Sequence, residues 1–256
     1  MEILGIDIGG SGIKGAIVDV DLGVMLTDRY RIPTPSPATP DEVTSTVAEI
    51  VKYFNWKGIT GCGFPAVVKK DVALTAANID NSWIGVNVAE MISSKTGCPT
   101  HVSNDVDAAG WAEMNHGAGK EVPGVVLILA LGTGIGSSLF IDGRQVPNTE
   151  LGHIIMHGNI AEKYAANSVR EKKELSWKKW GKRLDQYLNY VESILHPDLI
   201  ILGGGVSKHH QEFFPYLNCR ADLVPAKLRN HAGIVGAACS AKNLEQQIDS
   251  TSGLSR

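Results

Sequence analysis

Basic charge is not in surplus in this chain. Its 256 residues hold 24 lysines and arginines against 27 aspartates and glutamates, a formal net charge of -3, which excludes a general nucleic-acid binder. Cysteine pairs are missing too: Cys62, Cys98, Cys219 and Cys239 form no C-x-x-C unit and have no zinc-type histidine spacing. They read as scattered thiols of a reducing compartment. No apolar run approaches the roughly 20 residues that span a bilayer. The start, MEILGIDIGG, lacks the basic, apolar and small-residue regions of a secretory signal. The expectation is a cytoplasmic protein with neither a membrane nor a nucleic acid as partner. The Walker sequence G-x-x-x-x-G-K-[ST] is absent. Gly10, Gly12 and Gly15 match G-x-G-x-x-G, but the residues that follow, IKGAIVDV, are strand-like where the dinucleotide motif needs a helix.

Apolar residues, by contrast, are ample at 43%, enough to offset the ordering entropy of a folded core. Glycine is plentiful, 28 residues, and clustered rather than periodic. Clustered glycine suggests backbone brought close to a ligand. ILGIDI, IKGAIVDVD and VMLTDRYRI read as three strands of an antiparallel meander joined by GGSG and DLG. After the proline-rich PTPSPATP, Val43, Val47, Ile50, Val51 and Phe54 recur at helical spacing. GITGCGFPAVV is a further strand, VNVAEMISSKTG a helix with a glycine stop, and PTHVSND a strand ending in two polar residues. The second half repeats the order: VPGVVLILALGTGIGSSLFIDGRQV is again strand, glycine-rich turn, strand, turn, strand. A helix-rich stretch covers about 161–196. PDLIILGGGVS is then a strand feeding a glycine turn, and HAGIVGAACSAKNLEQQI a last helix with small residues on one face. The chain reads as two α/β halves with a ligand cleft between them. Residues 1–103 with about 232–250 form the smaller lobe, 104–231 the larger, and 251–256 a disordered tail.

Several constellations carry chemistry. In IDIGGSGIKG the turn Gly9, Gly10, Ser11, Gly12 can aim backbone N–H groups at phosphate oxygens. Asp7 at the strand end could hold a hydrated Mg²⁺, and Lys14 adds a cation. A tight hairpin without a ligand is the alternative. Gly132, Thr133, Gly134 and Gly136 make the counterpart in the second half, and Gly203, Gly204 and Gly205 a third cluster at a strand-to-helix turn. Asn104 and Asp105 end a strand at a helix start, where a carboxylate fits general-base work on a hydroxyl and an Asx cap fits equally well. Asp107 reads as a first-turn helix residue. Glu150 and His153 in NTELGH suit the vicinal hydroxyls of a sugar. Arg170, Lys172, Lys173, Lys178, Lys179, Lys182 and Arg183 are interleaved with Trp177 and Trp180. They read as a polyanion track or as a solvated face with its tryptophans packed inward.

The ordered set IDIGGSGIKG, SNDVDAAG, LALGTGIG, NTELGH and PDLIILGGGVSK resembles the ROK (repressor, open reading frame, kinase) sugar kinases over about residues 3–240. TAANIDNSW and LSWKKWGKRLDQYL are similar to stretches of the polyphosphate-using bacterial glucokinases. The resemblance implies a two-lobed actin/hexokinase-like (ribonuclease H-like) α/β fold with a cleft between duplicated domains. It implies phosphoryl transfer to the 6-hydroxyl of glucose from inorganic polyphosphate, with ATP as a weaker donor, Mg²⁺ as cofactor and a homodimer as assembly. Asp105 becomes the base. Asn104, Glu150 and His153 hold the sugar, with Glu162 as a further contact and Asn78, Asn81 and Ser82 lining the pocket. The glycine clusters hold the donor. The cysteine-rich zinc motif of many ROK proteins is missing from GHIIMHGNIAEKYAANS, so no zinc is expected. The chain opens at its first strand, so the helix-turn-helix of ROK repressors is not expected either. An ATP-dependent kinase for glucose, mannose or an acetylated hexosamine, and a non-catalytic sugar-binding regulator, remain the rival readings.

Overall fold

The structure is a computed structural model; it describes residues 1–77 and 79–242. The chain divides into two compact units, Met1–Ala112 with the segment returning at His231, and Glu113–Asn230.

In the first unit, β1 (Glu2–Gly9) and β2 (Gly12–Asp19) pair antiparallel as far as Gly9↔Gly12, leaving Gly10 and Ser11 as the bend. β3 (Val24–Met25) and β4 (Tyr30–Ile32) both lie along β2. The single strand expected over VMLTDRYRI is split because Thr27 Oγ1 accepts the Ile17 N–H at 3.1 Å while Leu26 N–H donates to Ile17 O at 2.8 Å, closing a bulge. α1 (Pro40–Tyr53) starts on a proline, where a missing N–H leaves no bond unmade, and buries Val43, Val47, Ile50 and Val51 on one face. β5 (Thr60–Phe64) runs parallel to β1. The small hairpin β6 (Val68–Lys69) and β7 (Val72–Ala73) leads to α2 (Val88–Thr96), capped by the Asn87 side chain and stopped by Gly97 at φ 73°. β8 (Thr100–Asn104) joins β5 in parallel and α3 (Asp105–His116) follows without a loop. The sheet order is β3-β2-β1-β5-β8, with β4 also on β2. The sequence-based division at 103/104 precedes α3, whereas the contacts divide within it, so Asn104 and Asp105 belong to the first unit.

The second unit repeats this plan. β9 (Val125–Leu131), β10 (Ile135–Ile141) and β11 (Arg144–Val146) form the meander. The hairpin β12 (Ile155–Met156) and β13 (Asn159–Ile160) precedes α4 (Glu162–Ala165), α5 (Asn167–Lys172) and α6 (Trp177–Leu195). β14 (Leu199–Gly203) adds to β9 in parallel, and after α7 (His210–Phe213) the strand β15 (Asp222–Pro225) completes the order β11-β10-β9-β14-β15. α6 buries Trp180, Leu184, Tyr187, Leu188 and Val191, the i, i+4, i+7, i+8 stripe of a helix laid on a core.

α8 (Ala232–Ser240) returns to the first unit and lies on β1 and β5. Gly5 and Gly61 are paired across those two strands and make a flat seat for it. A Cβ on Gly5 would stand 2.1 Å from Ile234 O, and one on Gly61 1.9 Å from Ala237 O. The expected tail 251–256 and the later part of 232–250 lie outside the described residues. No helix among the described residues is long and apolar enough to cross a membrane.

Candidate active site

Three parallel strands of the first unit end together. Asp7 on β1 is level with Gly63 on β5, and Gly63 with Ser103 on β8. Asp7 and the start of α3 therefore lie two strand spacings apart, about 10 Å, at the carboxyl edge of the sheet where α/β folds take their ligands. Asn104 caps α3: its Oδ1 accepts the N–H groups of Val106 (2.9 Å) and Asp107 (3.1 Å), and its Nδ2 donates to Ala66 O at 3.1 Å. Its second Nδ2 hydrogen has no acceptor among the described residues. Asp105, half-buried, accepts the Val106 N–H at 3.0 Å. Asp107 is buried in the first turn of α3. Asn81 and Ser82 lie exposed on a single helical turn, where Ser82 donates both N–H and Oγ–H to Asp80 Oδ1, holding that carboxyl below its usual pKa. Asn78 is outside the described residues.

The bend Gly10–Ser11 is held from outside its own hairpin. Thr34 Oγ–H donates to Gly9 O and the Arg31 guanidinium to Ser11 O. The N–H groups of Gly10 and Ser11 have no acceptor among the described residues. Opposite each other across the hairpin, Lys14 Nζ and Asp7 Oδ2 are 3.1 Å apart. Gly233, at the start of α8, keeps space beside that carboxylate, since a Cβ there would come within 2.9 Å of Asp7 Cγ. Among the described residues no group of three or more His, Cys, Asp or Glu is placed to hold a metal. The donor set at Asp7 is thus a single carboxylate, paired with Lys14 on one oxygen and flanked by a residue without a side chain. It fits an ion that keeps its waters and takes its other oxygens from phosphate, which is the habit of Mg²⁺.

In the second unit the expected sugar residues meet one of the glycine turns. His153 Nδ1 is 3.5 Å from Glu150 Oε2, and His153 Nε2 is 3.9 Å from Glu162 Oε1. The other Glu162 oxygen accepts the Ile135 N–H at 3.2 Å, where the turn enters β10. Partial desolvation of a side chain that is still 39% exposed pushes the Glu150 carboxyl above its ordinary pKa; His153 opposes the shift and Glu162 adds to it. NTELGH is pinned by buried Ser137, whose Oγ–H donates to Thr149 O at 2.6 Å and whose Oγ accepts the Leu151 N–H at 3.0 Å. In the turn itself, Gly132 N–H donates to Gly134 O at 3.0 Å, while the N–H groups of Thr133 and Gly134 have no acceptor among the described residues. Gly136 lies on β10 opposite Ala130. Gly203 on β14 pairs with that same Ala130, and Gly204, at φ 81°, rests on Leu131, so the third cluster, with Gly205 next to it, ends at the same sheet edge. Two donor-rich turns and a carboxylate–imidazole–carboxylate row can bind phosphate and polyol respectively.

The basic stretch has two characters. Arg170 lies over the Trp177 ring at 4.0 Å and Arg183 over Tyr164 at 4.8 Å. Lys172, Lys173, Lys178, Lys179 and Lys182 are exposed, and none has a carboxylate partner among the described residues. Trp180 is fully buried and donates Nε1–H to Ala165 O (2.9 Å) and Ala166 O (3.2 Å). Trp177 is half-buried against His209 and Phe213. The tryptophans are therefore anchors rather than open stacking platforms.

The model of the ROK family matches residues 3–163. The chain belongs to the ROK family. Across 235 residues, 91% of this chain and 89% of the relative, it is 48% identical to the polyphosphate glucokinase of Mycobacterium tuberculosis (strain CDC 1551 / Oshkosh). The inorganic polyphosphate/ATP-glucomannokinase of Arthrobacter sp. strain KM, solved as a crystal structure, is 44% identical with a TM-score of 0.91 over 95% of this chain and 99% of that one. A ROK family glucokinase from Streptomyces griseus, solved with glucose and AMPPNP, is similar in fold at 24% identity, with a TM-score of 0.79 over 95% and 100%. The duplicated sheet of this ROK chain is the fold of ROK sugar kinases, of the two-lobed actin/hexokinase class. Sequence reasoning overlooked Ser137, Gly233 and the Gly5–Gly61 seat. The glycine in each strand interior was a usable signal for the seat, because glycine weakens a strand unless another backbone comes close.

Proposed function

We propose that this chain is a polyphosphate glucokinase, moving the terminal phosphoryl group of inorganic polyphosphate to the 6-hydroxyl of glucose. The observation that carries the reading is Glu162. Its carboxylate faces the imidazole of the sugar row at 3.9 Å and accepts the Ile135 N–H of the donor turn at 3.2 Å, so acceptor and donor elements share one wall of the second unit. The 48% identity to a polyphosphate glucokinase over 91% of the chain supports the donor.

In this reading Glu150 and His153 hold sugar hydroxyls with Glu162, and Asn104 gives its remaining amide hydrogen. By resemblance, Asn81 and Ser82 are further sugar-binding residues. The N–H groups of Gly10, Ser11, Thr133 and Gly134 face phosphate oxygens, Lys14 adds a positive charge, and Gly204 and Gly205 admit the donor close to the backbone. Asp105 takes the proton of the 6-hydroxyl as its oxygen bonds to phosphorus, while the bond from that phosphorus to the next phosphate breaks. Asp7 would hold a Mg²⁺ through water, and that ion would supply charge neutralisation for the transferring group. The exposed lysines guide the long donor. Lys178 and Lys179 sit in the first turn of α6, which has no acidic residue there, and cations at that end of a helix are unfavourable for stability, so their placement argues for an anionic ligand. ATP is the second donor, supported by the two donors in the name of the Arthrobacter relative. The four thiols suit the cytoplasm, and a homodimer is the family expectation.

Purified protein given glucose and Mg²⁺, with polyphosphate and ATP offered in parallel, tests the reading. Glucose 6-phosphate should form fastest from polyphosphate. No product from any donor would overturn the kinase, and faster turnover with ATP would overturn the donor. Asp105→Ala should lower kcat by about 100- to 10,000-fold with little change in the glucose KM; near wild-type turnover would refute the base.

A further inference from the structure

Ser168 belongs to none of the sequence motifs, yet it grips the donor turn twice. Its N–H donates to Gly132 O at 3.0 Å and its Oγ–H to Thr133 O at 2.6 Å. Ser168 is itself fixed from behind, because buried Trp180 donates its indole N–H to the carbonyls of Ala165 and Ala166, immediately before α5. The other side of the turn is tied by Glu162 through the Ile135 N–H. The result is a polarity imposed on three residues. The carbonyls of Gly132 and Thr133 end on Ser168, and the N–H groups of Thr133 and Gly134 have no acceptor among the described residues.

That polarity matters for an anion. A carbonyl oxygen turned toward phosphate opposes it, and a run of N–H groups attracts it. A flexible turn with three soft residues could present either face. We infer that Ser168 is a positioning residue for phosphoryl transfer: it holds the carbonyls of Gly132 and Thr133 on the α5 side, so that the turn keeps its donors toward the transferred phosphate. The inference rests on the kinase reading above and adds a group outside its sugar and phosphate contacts.

Ser168→Ala keeps the backbone bond to Gly132 and deletes only the hydroxyl bond, leaving Thr133 O free to swing. Losing one neutral hydrogen bond corresponds to a fall of about 2- to 10-fold in kcat. Because the turn acts on the terminal phosphate, the factor is the same for short and long polyphosphate. The glucose KM stays at its wild-type value, and the thermal unfolding midpoint falls by no more than the few degrees that one lost hydrogen bond causes. Ser168→Thr restores the hydroxyl and the rate. An S168A enzyme with wild-type kcat, a loss that merely tracks a lowered unfolding midpoint, or an S168T enzyme no better than S168A would each overturn the proposal. A wild-type chain inert with every donor would bring down the kinase reading together with this one; an active wild type beside an unaffected S168A brings down this one alone.

Discussion

Alanine at Gly134 and alanine at Gly132 should behave differently, although the two positions share one turn. A Cβ at 134 would stand 2.3 Å from Glu162 Oε2 and 3.2 Å from its Cδ, whereas a Cβ at 132 meets no heavy atom within 4 Å. Neither glycine has a positive φ, so backbone strain does not enter. To restore ordinary contact in Gly134→Ala, the Glu162 carboxylate must withdraw by about 1 Å. Its 3.2 Å bond from the Ile135 N–H cannot survive that movement. A hydrogen bond to a charged acceptor contributes about 1.5–3 kcal/mol. If the turn needs that bond in the transition state, kcat/KM for glucose falls roughly 10- to 150-fold. The carboxylate also changes its distance from His153, so the glucose KM rises along with the fall in kcat. At Gly132 the added methyl is accepted by the fold, and the unfolding midpoint is unchanged or raised, since replacing glycine at a compatible site restricts the unfolded chain. What it does encroach on is the open space beside the turn. If the donor lies there, Gly132→Ala raises the polyphosphate KM and leaves the glucose KM alone. Initial rates of glucose 6-phosphate formation, with each substrate varied in turn, separate the two patterns. A G134A enzyme with wild-type kcat/KM would refute the coupling through Glu162, and a G132A enzyme with an unaltered donor KM would remove the donor from that face.

Glu150 makes glucose binding depend on pH. Partial desolvation raises its carboxyl pKa, so the charged acceptor is lost on acidification at a higher pH than an ordinary glutamate would show. The glucose KM should climb as pH falls through that raised value, and Glu150→Gln should abolish the inflection; a wild-type profile identical to that of E150Q would sink the assignment. The exposed lysines predict that added salt raises the KM of long polyphosphate more than that of a short one, because screening over about 10 Å at 0.1 M weakens many contacts at once. Equal salt sensitivity for both lengths would remove the track. Gly61→Ala should destabilise the first unit, because its Cβ would stand 1.9 Å from Ala237 O and backbone must shift to admit it. Overpacking of that kind costs about 1–3 kcal/mol, read as a lowered thermal midpoint; a wild-type midpoint would show that α8 does not rest on β1 and β5 as described.

The two meanders, the buried stripe of α1 and the glycine turns were legible in the chain itself, because each depends on one segment or on neighbouring segments joined by a short connection. β-branched runs, helical spacing and turn glycines act through local sterics, and local sterics are written in order along the sequence. The split of the third strand was not legible, because the Thr27 hydroxyl competed successfully for an N–H ten residues away. The meeting of Glu162 with Ile135, 27 residues apart, and of Ser168 with Thr133, 35 apart, was decided by tertiary packing alone. The inward turn of Trp180 was one of the two readings open for the basic stretch, and tertiary packing chose it. Which polar groups face each other depends on how α4, α5 and α6 settle on the second sheet, and that is the sum of many apolar contacts none of which is recorded in the polar residues themselves.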